Sequence, residues 1–140
     1  MANQPYYTNL DWKQHAPLKY RTGGEAIDSV VLASNNVTAN SDGQKLVAAG
    51  ELVCKITSGT YIGKYGPYLK TATDGTQTLT LGSIGFTMEG HDIALGDEPA
   101  AIVYGFATFD KSELTMNGAS LHGTTYTALV AAFHSCEFMD

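Results

Sequence analysis

The sequence predicts a mainly β fold with a small α part, and three observations carry that expectation. Fifteen of the 140 residues are glycine, and Thr, Ser and Asn are abundant, a composition that suits strands and turns better than long helices. Apolar and polar residues alternate over short runs that Gly, Asp-Gly, Asn-Gly and Pro punctuate, the pattern of half-buried strands joined by tight turns. Helical spacing is confined to one stretch near the C-terminus. The length fits one domain with an appendage, read here as an arm, residues 1–26, and one β-rich domain, residues 27–140.

The arm holds Tyr6, Tyr7, Leu10, Trp12, Leu18 and Tyr20, which fit neither a period of two nor one of 3.6. Pro5, Pro17 and Gly23-Gly24 interrupt any regular element, and the aromatics are too many for a linker selected only for solubility. These six residues are the expected contacts of an arm that orders on a partner. The plainer alternative is a covering strand folded back on the body. Lys13, Lys19 and Arg21 outnumber the two acids, Asp11 and Glu25, in this segment, so a mildly basic arm precedes an acidic body.

In the body, Ile27, Val30, Val31 and Leu32 mark a short strand, and Ser34-Asn35-Asn36 a turn. Asp42-Gly43 is a second turn. Leu52, Cys54 and Ile56 alternate with Val53, Lys55 and Thr57, which aims Cys54 into a core. Residues 60–69 carry Tyr61, Tyr65 and Tyr68 around Gly63, Gly66 and Pro67; such rings stack on sugars or, more simply, pack with their hydroxyls outward. After the Asp74-Gly75 turn, Gly82, Ile84, Phe86 and Met88 share one face of a strand, and Ser83, Gly85, Thr87 and Glu89 the other, polar one. Gly96-Asp97-Glu98-Pro99 breaks the chain before residues 100–109, which read as one strand apolar on both faces. Such a strand must be central, or lie under something else such as a second layer or a neighbouring subunit. Asp110 and Glu113 have the form of a capping pair for a helical turn around Leu114, and Met116-Asn117-Gly118 is a further turn. From residue 124 or 125 to about 138, Tyr126, Leu129, Val130, Phe133 and Glu137 recur at helical spacing with Ala128, Ala131 and Ala132 among them, and predict an amphipathic helix packed on the sheet.

The net charge of −6 provides no field for a polyphosphate backbone. No window approaches the ~18 apolar residues of a membrane span, and no basic segment precedes an apolar leader. The expectation is a cytosolic chain with neither nucleic acid nor membrane as partner. Cys54 and Cys136 lack CxxC partners and read as free buried thiols. Asn36-Val37-Thr38 matches the glycosylation sequon but carries no weight without a leader.

Catalytic chemistry finds no constellation. His15, His91, His122 and His134 are scattered and no pair has zinc-motif spacing. His91 beside Glu89 and Asp92 is a candidate acid/base or cation group, read as a solvated turn. His134-Ser135-Cys136 are helical neighbours that do not face one another, Ser112 sits in no GxSxG elbow, and Asp97-Glu98 precede a proline in a loop. Gly63-Lys64 and Gly82-Ser83-Ile84-Gly85 lack the context of nucleotide motifs. No enzyme, metal or cofactor is expected.

Residues 42–114 also carry an order of motifs: Asp42-Gly43 with Lys45-Leu46-Val47-Ala48, Ala49-Gly50-Glu51-Leu52, Gly63-Lys64-Tyr65-Gly66-Pro67-Tyr68, Asp74-Gly75-Thr76-Gln77-Thr78, Gly82 with Ile84-Gly85, Gly96-Asp97-Glu98-Pro99-Ala100, and Asp110-Lys111-Ser112-Glu113-Leu114. That order, over about half the chain, resembles the lambda-type head decoration proteins of tailed phages, also called capsid cement or stabilisation proteins. The resemblance implies a β-clip-like fold, a homotrimer on the outer surface of the mature phage head, binding to the major capsid protein through the N-terminal arm, residence in the host cytoplasm before assembly, and no catalysis. Within such a trimer the strand at 100–109 supplies the expected interface, through Val103, Tyr104 and Phe106. The extension 115–140 matches nothing in the family. Two readings from other classes stand beside this one. A carbohydrate-binding surface module would use the Tyr61, Tyr65 and Tyr68 loop, and a small hydrolase would bring Glu89, His91 and Asp97 together.

Overall fold

The computed structural model describes residues 17–20, 24–123, 127–133 and 135–139, with Lys19 and Tyr20 described by their backbone alone. Most of the proposed arm therefore lies outside the described residues. In chain order the strands are β1 (Leu18–Tyr20), β2 (Ala26–Leu32), β3 (Leu46–Val47), β4 (Leu52–Lys55), β5 (Tyr65–Pro67) and β6 (Ile84–Thr87). They continue with β7 (His91–Asp92), β8 (Glu98–Gly105), β9 (Thr108–Asp110), β10 (Thr115–Met116), β11 (Ala119–Ser120) and β12 (Glu137–Met139). Among the described residues one α-helix, α1 (Thr127–Ala132), precedes β12, and short 3-10 turns occupy Ser34–Asn36 and Lys111–Glu113.

Five strands close a mixed barrel in the order β2-β5-β4-β6-β8. Its longest pairing runs antiparallel from Ala26↔Gly105 to Leu32↔Glu98, with an irregularity between Ala26 and Ile27. Its shortest is a single parallel pair, Leu32↔Tyr65, backed by the Ala33 N–H donating to the Tyr65 carbonyl at 2.9 Å.

Because side chains alternate along a strand, β4, β6 and β8 send one set of residues into the barrel and the other set outward. Val53, Ala100 and Ile102 join Val30, Leu32 and Tyr65 inside, with Val47 and Ile93 packed on the same cluster. Leu52, Cys54, Ile84, Phe86 and Val103 face a second core built with Phe109, Leu114, Leu121, Leu129 and Phe133. The chain's own C-terminal layer thus covers Val103 on the outer face of β8, while Pro99 and Ala101 on that face stay exposed and half-buried respectively.

That second core dictates three departures from the sequence reading. The strand at 82–88 is buried on both faces over Ile84–Thr87. A Cβ on Gly85 would lie 2.7 Å from Ile102 Cδ1, and Thr87 Oγ1 is satisfied by donating to the Ala48 carbonyl at 2.6 Å. An absent side chain and a hydroxyl with an internal acceptor are both compatible with burial. The strand at 100–109 is split: β8 ends at Gly105, Phe106 takes a φ of 52°, and β9 starts at Thr108.

The third departure is the helix, which among the described residues covers Thr127–Ala132 and stops there, burying Leu129 and Ala132 while Val130 stays 44% exposed. Beyond it β12 pairs in parallel with β9, Phe138 opposite Phe109. Phe86, Phe109, Phe133 and Phe138 form one cluster, with centroids 4.8 Å apart for Phe86–Phe109, 5.1 Å for Phe86–Phe133 and 5.2 Å for Phe109–Phe138. At 3.6 residues per turn, a continued helix would place Phe138 about 140° round the axis from Phe133. Both rings reach the same core only if the helix stops.

The other side of β9 carries β1, Leu18 opposite Phe109, with Leu18 packed on the aromatic core. Leu18 and Tyr20, assigned to the arm from sequence, therefore lie in a strand of the domain's own sheet. Local readings fare better. Asn117 and Gly118 have φ of 54° and 78° between β10 and β11, as a two-residue primed turn requires. Asp110 caps its 3-10 turn by accepting from Ser112 N–H at 3.1 Å.

Candidate functional site

Of the side chains that looked chemical in the sequence, His15 lies outside the described residues and most of the others have a definite place. Glu89 and His91 line a shallow depression of about 250 Å³ with Ser29, Pro99, Ala100 and Ala101. Asp97 is committed elsewhere: Oδ1 accepts the Ser34 N–H at 2.8 Å and Oδ2 pairs with Lys64 Nζ. The hydrogen bond from Lys64, then that from Ser34, holds its carboxyl below the usual range. Asp97 therefore serves as a brace between loops, and the Glu89, His91 and Asp97 constellation is not assembled. Asp92 is similarly occupied, its Oδ1 accepting from Lys45 and Ala94 N–H groups at 3.0 and 3.1 Å.

Ser112 Oγ donates to its own capping residue, Asp110, at 2.6 Å. Ser135 Oγ lies 3.9 Å from Cys136 Sγ and accepts the Phe106 N–H at 3.2 Å; His134 lies outside the described residues. Burial, followed by the nearby Asp74 charge, pushes the Cys54 thiol up to about 12, so it is an inert core group. Among the described residues no three His, Cys, Asp or Glu side chains are grouped so as to hold a metal, and no helix is long and apolar enough to cross a membrane.

The three tyrosines do not make a platform. Tyr65 packs in the barrel and Tyr68 against the aromatic core. Only Tyr61 remains on the loop, where its hydroxyl accepts from Asn35 Nδ2 and Lys64 Nζ lies 5.6 Å from its ring centroid.

One carboxyl sequence reading missed is Glu51. It lies under the β10–β11 hairpin, its Oε1 accepting from Thr115 Oγ1 at 2.9 Å while Oε2 is buried with no partner. Burial raises its pKa; Thr115 and the Gly118 and Asn117 N–H groups counter part of that without satisfying Oε2. It lies beside Gly50, whose φ is 80° and where a Cβ would stand 2.1 Å from the Glu113 carbonyl oxygen. Its signal in the sequence, an acid between Gly50 and an apolar strand, is indistinguishable from a solvated turn residue.

The exposed apolar surface is more telling. Of the three residues expected at a subunit interface, Val103 is fully buried in the chain's own core and offers no surface. Tyr104 is 37% and Phe106 69% exposed. Phe106 is a bulky residue held in the left-handed region, which is rare and unfavourable for L side chains. Its ring faces outward at the corner between β8 and β9, held there through the Ser135 hydrogen bond. Comparison with family models, with curated proteins and with solved structures finds no match for this chain.

Proposed function

We propose that this chain is a structural virion protein that seats as a homotrimer on the outer surface of an assembled phage head and stabilises it without catalysis. In this reading the barrel and its C-terminal layer form a β-clip-like decoration fold, residues 1–16 dock on the major capsid protein, and the chain waits in the host cytoplasm before assembly. The order of motifs over residues 42–114 is what the reading starts from. The observation that carries it further is Phe106: a large ring, mostly exposed and backbone-strained, that gains little within the chain and is expected to gain by burial against a neighbour. Exposed aromatic rings are the kind of group that dominates interface energies.

Cementing requires no chemistry. A ligand that binds only the assembled lattice stabilises that lattice by mass action, by ~2.7 kcal/mol per site when its free concentration is 100-fold above Kd. The test is twofold. Sedimentation should find a trimer that Phe106→Asp dissociates. Bare heads saturated with the protein should melt at a higher temperature than undecorated ones; equal melting at full occupancy refutes the cement role.

A further inference from the structure

The open end of the barrel holds a depression of about 150 Å³ lined by Asp28, Tyr65, Gly82, Ile84, Ile102 and Tyr104. That is too small for a typical small-molecule pocket of ~300–1,000 Å³ and matches a single long side chain. Its wall chemistry is divided. Ile102, almost fully buried inside the barrel, gives an apolar floor, with Gly82 and Ile84 along its edge; Tyr65 and Tyr104 contribute aromatic rings; Asp28 supplies the one carboxylate. Asp28 Oδ1 accepts the Ser29 N–H at 2.8 Å, and no cation among the described residues pairs with it. The Tyr65 phenol is raised, first by burial and then by the Asp28 charge, so the two groups act on the same space.

A ligand for such walls needs an apolar stem, a delocalised cation to lie against aromatic faces, and a donor edge for a carboxylate. Guanidinium meets all three: it is planar, weakly hydrated, stacks on rings and donates to carboxylates through paired N–H groups. We infer that the barrel mouth is a seat for the side chain of an arginine presented by another protein. The chain's own supply is a single arginine, Arg21, and its net charge of −6 suits a basic visitor. On the function proposed above, the visitor belongs to the surface of the head.

The test uses ethylguanidinium, ethylammonium and uncharged ethylurea as probes, read through the ring NMR signals of Tyr65 and Tyr104 in the full chain. Ethylguanidinium should shift both rings saturably, ethylammonium more weakly and ethylurea not at all. Asp28→Asn, at an exposed position, should weaken guanidinium binding roughly tenfold; Tyr104→Ala should weaken it as well with the fold intact. Equal shifts with ethylurea, or none that saturate with ethylguanidinium, overturn the assignment. Binding that emerges only in Arg21→Ala also overturns it, by making the pocket a seat for the chain's own arginine. If Asp28→Asn binds heads as well as the parent chain while still losing guanidinium, the arginine is not on the head. Failure of the parent chain to bind heads counts against the cement reading, and the probe titration then decides the seat alone.

Discussion

Replacing Phe106 by glycine would separate folding from the proposed docking, because the proposal has the two depend on this residue in opposite ways. At φ 52° an L side chain carries a penalty of about 1–2 kcal/mol that glycine avoids. Against that gain stand two losses. Glycine surrenders ~0.5–1 kcal/mol more conformational freedom on folding. The ring is 69% exposed, so about a third of the ~1.5–3 kcal/mol available to a fully buried side chain is forfeited, again ~0.5–1 kcal/mol. The sum lies within about 1 kcal/mol of zero. Urea unfolding at a concentration low enough to keep the chain monomeric should show near-unchanged midpoint and slope. Self-association should fall sharply, since losing an interface anchor costs ~2 kcal/mol or more, about 30-fold in Kd. A variant destabilised by more than about 2 kcal/mol would mean the ring belongs to the chain's own core. Unchanged assembly would remove Phe106 from any interface.

Phe86→Ala, at the centre of the ring cluster and fully buried, should destabilise by about 3–5 kcal/mol in urea; Val130→Ala on the exposed side of α1 should stay within ~0.5 kcal/mol. Because burial raises the Glu51 pKa above its unfolded value, the fold favours the neutral carboxyl, and that contribution is lost as pH rises from the ordinary carboxylate range through the folded pKa. Glu51→Gln should therefore gain stability relative to the parent at pH 7 and lose that advantage at pH 4, measured by paired urea curves. Cys136, only partly buried, should react with a thiol reagent at pH 8 in the native state, whereas Cys54, pushed up to about 12, should react only on unfolding. Deleting residues 1–16 should leave the barrel folded, since Leu18 is retained, while weakening attachment to heads, and Trp12→Ala should weaken it more than Lys13→Ala.

What sequence made legible here is what depends on a few adjacent residues. Asn117-Gly118 announces its turn because two positive φ values are tolerable at that dipeptide, and Asp110 announces its cap because a carboxylate sits two residues before a free N–H. Alternation in Leu52, Val53 and Cys54 located β4, yet which face met which core needed the partner strands. Barrel closure rests on β2 meeting β8 some seventy residues away, and no local signal records it. The helix was overextended because Phe133 and Glu137 fit the period, while the decisive fact, that Phe138 joins Phe86 and Phe109, is tertiary. Glu89, His91 and Asp97 are close in sequence, but Lys64 and Ser34 draw Asp97 away. Asp28, Tyr65 and Tyr104 converge only because the barrel closes, so the mouth had no signature to find.

The two sides of β9 have a consequence for anything attached to the chain. The Asp110 N–H donates to the Pro17 carbonyl at 2.8 Å, and Met139 is registered opposite the same Asp110. With strands ~4.7–4.9 Å apart, residues 17 and 139 lie roughly 10 Å from each other at one end of a three-stranded sheet. A cargo fused before residue 17 or after residue 139 would emerge at the same spot. A tether pulling on both would open the flanking strands like a zipper, one backbone bond at a time, before loading the barrel. Linking 17 to 139 by a few residues and cutting at the exposed turn around Leu95 would make a circularly permuted chain whose new ends lie away from that sheet.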